Sequence, residues 1–176
     1  VLEFPVPFAP SFYGLDFSEL PALIGAFAYG PVAGVMIEFC KILIKLVLKP
    51  SSTAFVGELA NFSISCMLVL PASVIYLFKK SRKQAILGTV VGTLIMTAFG
   101  SCFNAIYLLP KFSELYGIPL DAIIGMGTAI NPAIHSISGL VLMCVVPLNL
   151  LKGGLVSLIT ILVYKKLSPI LKAAHK

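Results

Sequence analysis

At 176 residues, with 59% hydrophobic and 11% charged side chains and a mean hydropathy of +1.03, the chain carries too little polar surface for a water-soluble globule of its size. Its formal charge of +6 gathers at the ends of apolar runs, on no face interleaved with aromatics, which excludes a nucleic-acid binder and points to orientation in a lipid bilayer. The sequence contains no Gly-rich phosphate loop, no paired-histidine zinc motif and no nucleophile elbow, so it offers no enzyme class and no cofactor.

In chain order, residues 1–16 hold Pro5, Pro7 and Pro10 among Phe4, Phe8, Phe12 and Tyr13, a spacing that forbids helix and predicts an extended aromatic loop able to act as a lid. Ser18 and Glu19 before Pro21 start a short helix over 17–29, interrupted at Gly30 and Pro31. A second helix over 31–48 puts Glu38, Lys41, Lys45 and Lys49 on one face. Two readings suit that stripe: a Glu38–Lys41 pair with Lys45 and Lys49 reaching for the surface, or a part in ligand entry or subunit contact. Pro50, Ser51, Ser52 and Thr53 form a turn, and a helix over 57–78 ends in Lys79, Lys80, Arg82 and Lys83. Next come a helix over 84–109, with Gly88 and Gly92 as a small-residue packing face, and an external segment over 110–135 in which His135 caps or faces water. A last helix over 136–164 leads to the basic tail 165–176.

These continuous runs are helices, not the alternating ten-residue strands of a barrel, so the fold class is an all-α integral membrane protein. No charge lies between Glu58 and Lys79, between Lys83 and Lys111, or, Lys152 excepted, between Asp121 and Lys165. Each run meets the roughly 20 apolar residues that a bilayer core of about 30 Å demands. The positive-inside rule puts the Lys79–Lys83 turn and the tail on the cytoplasmic side, and so the first loop and the 49–57 turn outside, provided Gly30–Pro31 reverses the chain. Lys41, Lys45 and Lys49 oppose that scheme. The opening at Val1, without Met, and the external first loop imply one more helix upstream, six in all. Cys40, Cys66, Cys102 and Cys144 are widely spaced in apolar runs and read as small core residues, not metal ligands.

Lys152 is the best clue to function. A mid-membrane lysine costs about 2.5 to 3.5 kcal/mol to insert, so it faces a partner, a cavity or a ligand. Asn149 shares its face just beyond Pro147, Glu58 and Asn61 share a face on the first turn of their helix, and Asn104 lies near the outer end of the next. Each amide alone is explained by an interhelical hydrogen bond. Together with a buried Lys and a Glu at similar depth, they favour a polar organic ligand in an externally open cavity.

Four stretches, LDFSELPALIGAFAYGP (15–31), GELANF (57–62), FNAIYLLP (103–110) and PLNLLKGGLVSLIT (147–160), resemble the riboflavin-specific substrate-binding subunit, or S component, of energy-coupling factor (ECF) vitamin transporters. The resemblance implies a six-helix bundle in the cell membrane, both termini cytoplasmic, with a flavin pocket near the outer surface. It implies that the first helix, which docks on the transmembrane coupling subunit, is represented here only by Val1 to Phe4. It implies that Asn149, Lys152 and Asn104 contact the flavin, with Glu58, Asn61 and Glu19 as further ligand contacts. ATP would be hydrolysed by two partner subunits, and riboflavin would be cargo, not cofactor. Another vitamin such as flavin mononucleotide, or an assembly role without a ligand, is the alternative.

Overall fold

The computed structural model describes residues 3–10, 13–48, 51 and 55–173, and the side chains of these except residue 3 and residues 164–173. Expectations that fall on Phe12, Lys49, Pro50, Ser52, Thr53 and the side chains of the basic tail lie outside the described residues.

Two short strands, β1 (Glu3–Pro5) and β2 (Gly14–Asp16), pair antiparallel with Glu3 opposite Asp16 and Pro5 opposite Gly14. The proline-aromatic segment is therefore the tip of a hairpin. The first two helices follow as α1 (Glu19–Tyr29) and α2 (Pro31–Leu48). Gly30 takes φ 97°, a backbone conformation that glycine adopts without a Cβ clash, and its N–H closes α1 on the carbonyl of Ala26. The chain reverses there. Gly34 of α2 sits so close to α1 that a Cβ on it would lie 2.6 Å from the Cβ of Ala26.

Helix α3 (Val56–Phe78) runs back alongside, and the exposed turn at Lys79 and Lys80 leads to Ser81, whose hydroxyl accepts the N–H of Gln84 and caps the next helix. This helix, α4, runs Arg82–Phe103, passes through a π-helical turn at Asn104–Leu108 and continues as Leu109–Tyr116. After a short α5 (Leu120–Thr128), α6 starts at Ile137–Leu140, widens into a second π turn at Val141–Val145 and continues as Val146–Ala173. Both π turns end just before a proline, Pro110 in α4 and Pro147 in α6. A proline ring collides with the carbonyl four residues back, and a widened turn moves that carbonyl aside, so each helix continues past its proline.

That continuation corrects the expected helix end at 109, because α4 reaches Tyr116, and a further short helix, α5, forms within 110–135. Two of the cysteines also differ from expectation: Cys66 and Cys144 are buried, but Cys40 and Cys102 are exposed on outward helix faces.

Apolar packing falls into two main bodies. Leu23, Phe27, Leu68, Ala72, Tyr76, Ala85, Met96 and Val156 join α1, α3, α4 and α6 toward the Lys79–Lys80 turn. Leu109, Ile123, Ile134, Leu140, Val141 and Val145 form a second body with Ala9, and Val6, Phe8 and Tyr13 of the hairpin tip pack against it. The polar residues of interest lie between these two bodies.

Candidate functional site: a buried polar layer beneath the hairpin

Lys152 projects from α6 and is only 9% exposed. Its Nζ lies 2.6 Å from Glu19 Oε1 at the start of α1 and 3.4 Å from Asp16 Oδ2 at the end of β2. An ammonium at this depth needs counter-charge, and the end of the hairpin and the start of α1 each deliver one carboxylate to it. Ser18 is not a helix cap: its hydroxyl and its N–H both donate to Asp16 Oδ1 and aim the carboxylate. Burial works against the charged form, but the Lys152 ammonium and the two Ser18 donors hold the Asp16 carboxyl well below the usual carboxylate range.

The network extends across the bundle. Glu19 Oε1 also accepts from Ser65 of α3 at 2.8 Å and lies 3.4 Å from Lys41 Nζ of α2. Lys41 Nζ lies 2.5 Å from Glu38 Oε2, so the intrahelical pair expected for that stripe forms and reaches a second helix as well. Glu19 and Glu38 are both fully buried. Asp16, Glu19 and Glu38 thus share Lys41 and Lys152.

One helical turn from Lys152, Asn149 turns its carboxamide toward Gly100 of α4, where a Cβ would lie 2.9 Å from its Nδ2. Asn149 is 7% exposed, and among the described residues its carboxamide has no hydrogen-bond partner. Asn104 opens the π turn of α4, donates from Nδ2 to the Gly100 carbonyl at 2.7 Å and accepts at Oδ1 from the Tyr13 hydroxyl at 2.8 Å. Burial, with the Cys144 thiol nearby, pushes the Tyr13 phenol above its ordinary value, so it stays a neutral donor. The hairpin is therefore pinned twice, by Tyr13 to α4 and by Asp16 to α6.

A family model described as "ECF transporter, substrate-specific component" matches residues 1–164. The chain belongs to that family. It is 33% identical over 97% of its length, and 83% of the relative's, to the riboflavin transporter RibU of Staphylococcus aureus. It is 30% identical over 96% of its length to the riboflavin transporter FmnP of Bacillus subtilis, covering 84% of that protein. A solved structure described as "Structure and mechanism of the S component of a bacterial ECF transporter" superposes with a TM-score of 0.71 at 34% identity, covering 97% of this chain and 86% of that one. The all-α fold class read from composition is the fold of this family. With Val56–Phe78, Arg82–Tyr116 and Ile137–Val163 each long and apolar enough to cross a bilayer, this S component is a multi-pass membrane protein.

Of the six residues singled out in the sequence, the structure brings Glu19, Asn104, Asn149 and Lys152 into one layer. Glu58 lies higher on α3, about 10 Å of helix from Ser65, where its Oε2 accepts from Ser51 at 2.9 Å, and Asn61 lies between them, one turn from Ser65. Sequence reasoning passed over Asp16, Ser65 and the long reach of Lys41. A signal for Asp16 was available: the chain has only seven acids, and a buried lysine requires one within reach. A separate groove of about 240 Å³ between α4 and α6, lined by Val90, Thr93, Leu94, Leu150, Gly154 and Ser157, carries no charge and lies apart from this layer.

Proposed function

We propose that this S component captures riboflavin from the outer side of the cell membrane and passes it inward when engaged by a coupling subunit and two ATPase subunits. The observation that carries the reading is Asn149, a buried carboxamide without a partner among the described residues, set one turn from Lys152 in a chain related to proteins named riboflavin transporters. A carboxamide offers a donor and an acceptor side by side, which matches the N–H and carbonyls of the flavin imide. Asn104, already bonded to Tyr13, borders the same space from α4. The hairpin is the outer lid, and the basic Lys79–Lys83 turn faces the cytoplasm.

Lid and ligand are linked because Tyr13 and Asp16 end on Asn104 and Lys152, residues beside the bound ring. Release requires a state that binds flavin less well, so engagement by the coupling subunit must favour the hairpin drawn away from α4 and α6. Lys152 already faces two carboxylates, Asp16 and Glu19, and so has no charge to spare for a phosphate, which favours riboflavin over flavin mononucleotide.

Purified protein that stays yellow through washing and releases a fluorescent flavin on denaturation supports this reading. Equilibrium competition then ranks riboflavin above flavin mononucleotide. Colourless protein that takes up no added riboflavin refutes it.

A further inference from the structure

Three donors converge on a single oxygen of Glu19. Oε1 faces Lys152 at 2.6 Å, Ser65 at 2.8 Å and Lys41 at 3.4 Å, while Oε2, equally buried, has no hydrogen-bond partner among the described residues. Left to Lys152 alone, a carboxylate is free to turn and share both oxygens with the ammonium. Lys41 approaches from α2, and Ser65 from α3, to the same oxygen that faces Lys152, which turns the other one away from all three donors. Glu38 holds Lys41 in place at 2.5 Å and balances its charge.

We propose that the Lys41–Glu38 pair is a positioning device for ligand recognition: it keeps Glu19 Oε2 bare as an acceptor for a hydroxyl of the ligand's polyol chain. This rests on the riboflavin reading and names which part of that ligand the α2 stripe serves. A buried acceptor without a donor is costly, and a ligand hydroxyl removes that cost, so the arrangement rewards a hydroxylated substituent over a bare ring. Neither Lys41 nor Glu38 touches the ligand; both act through Glu19.

The test compares riboflavin with lumiflavin, which keeps the ring and carries a methyl in place of the ribityl chain. The paired variant Lys41→Met/Glu38→Gln removes one charge of each sign and leaves the net charge of the layer unchanged. It is expected to weaken riboflavin binding by about 10-fold or more, as for a hydrogen bond to a charged group, and to leave lumiflavin within about 2-fold. In a Glu19→Gln background the same pair is expected to add almost nothing, because its effect runs through that carboxylate.

Equal loss on both ligands, no loss on either, or full additivity with Glu19→Gln overturns the proposal. If the paired variant does not fold, Ser65→Ala decides, since it removes one donor from Oε1 without a charge: a riboflavin-to-lumiflavin affinity ratio that falls supports the proposal, and an unchanged ratio overturns it. Wild-type protein that binds neither flavin refutes the riboflavin reading itself, a separate result from a wild type that binds while the variants behave alike.

Discussion

The seam between α3 and α4 and the seam where α1, α2 and α6 meet solve the same problem in different ways. At the first, a Cβ on Gly88 would lie 2.5 Å from the carbonyl oxygen of Ala72, and one on Gly92 would lie 2.5 Å from that of Leu68. Backbone lies on backbone there, and the buried hydroxyls beside it, Ser73 and Thr89, bond carbonyls of their own helices. At the second, Gly34 also brings α1 and α2 close, and Glu19, Glu38, Lys41 and Lys152 add ion pairs across three helices. Glycine seams hold by shape and tolerate no added volume. Charged seams hold by mutual compensation and tolerate no missing partner. Only the second kind leaves acceptors and donors for a ligand, which is why function sits there.

Breaking the charged seam is expected to have the largest effect. Lys152→Ala leaves Glu19 and Asp16 buried without their ammonium, at a cost of about 3 to 5 kcal/mol, read as a lowered thermal midpoint in detergent and loss of retained flavin. A midpoint unchanged from wild type would show that the lysine is not compensating those carboxylates. Breaking the glycine seam comes next: Gly92→Leu forces α3 and α4 apart for about 1 to 3 kcal/mol, while the protein that still folds keeps its flavin affinity.

Asn149→Ala sharpens the contrast, because it removes a group with no protein partner among those described. Flavin affinity is expected to drop by about 1 to 3 kcal/mol, by isothermal titration or fluorescence quenching, with the unliganded midpoint unmoved. Tyr13→Phe removes one pin of the hairpin and is expected to cost about 1 kcal/mol, appearing as faster flavin dissociation in stopped flow.

The smallest effect concerns pH. The Asp16 carboxyl is depressed in the folded protein, so its contribution to hairpin closure is complete above the ordinary carboxylate range and is lost as pH falls through the depressed value. Flavin dissociation through the Asp16 latch is therefore expected to be flat from pH 8 to about pH 5 and to quicken only in stronger acid. A midpoint near neutrality would assign the latch to another group.

Much of the molecule was legible because bilayers impose simple rules. Uncharged runs of membrane length, Gly88 and Gly92 four apart, and the break at Gly30–Pro31 all read directly onto helices that exist. Pro110 misled, since local propensity marks a stop there and says nothing of the π turn that carries α4 through to Tyr116. Lys152 was conspicuous for its position, yet its partners were not, and Lys41 looked like part of a local i, i+3 pair when it also serves another helix.

By itself, the sequence determined the lipid environment, the helical class, the family and the identity of the anomalous polar residues, because hydropathy, spacing and motif strings are properties of neighbours along the chain. Only the tertiary structure decided who meets whom. Lys152 and Asp16 are 136 positions apart and Ser65 and Glu19 are 46 apart, and no local periodicity encodes such pairings. They arise from helices that fold back on one another, and from a hairpin whose Asp16 is carried to a buried ammonium that requires it.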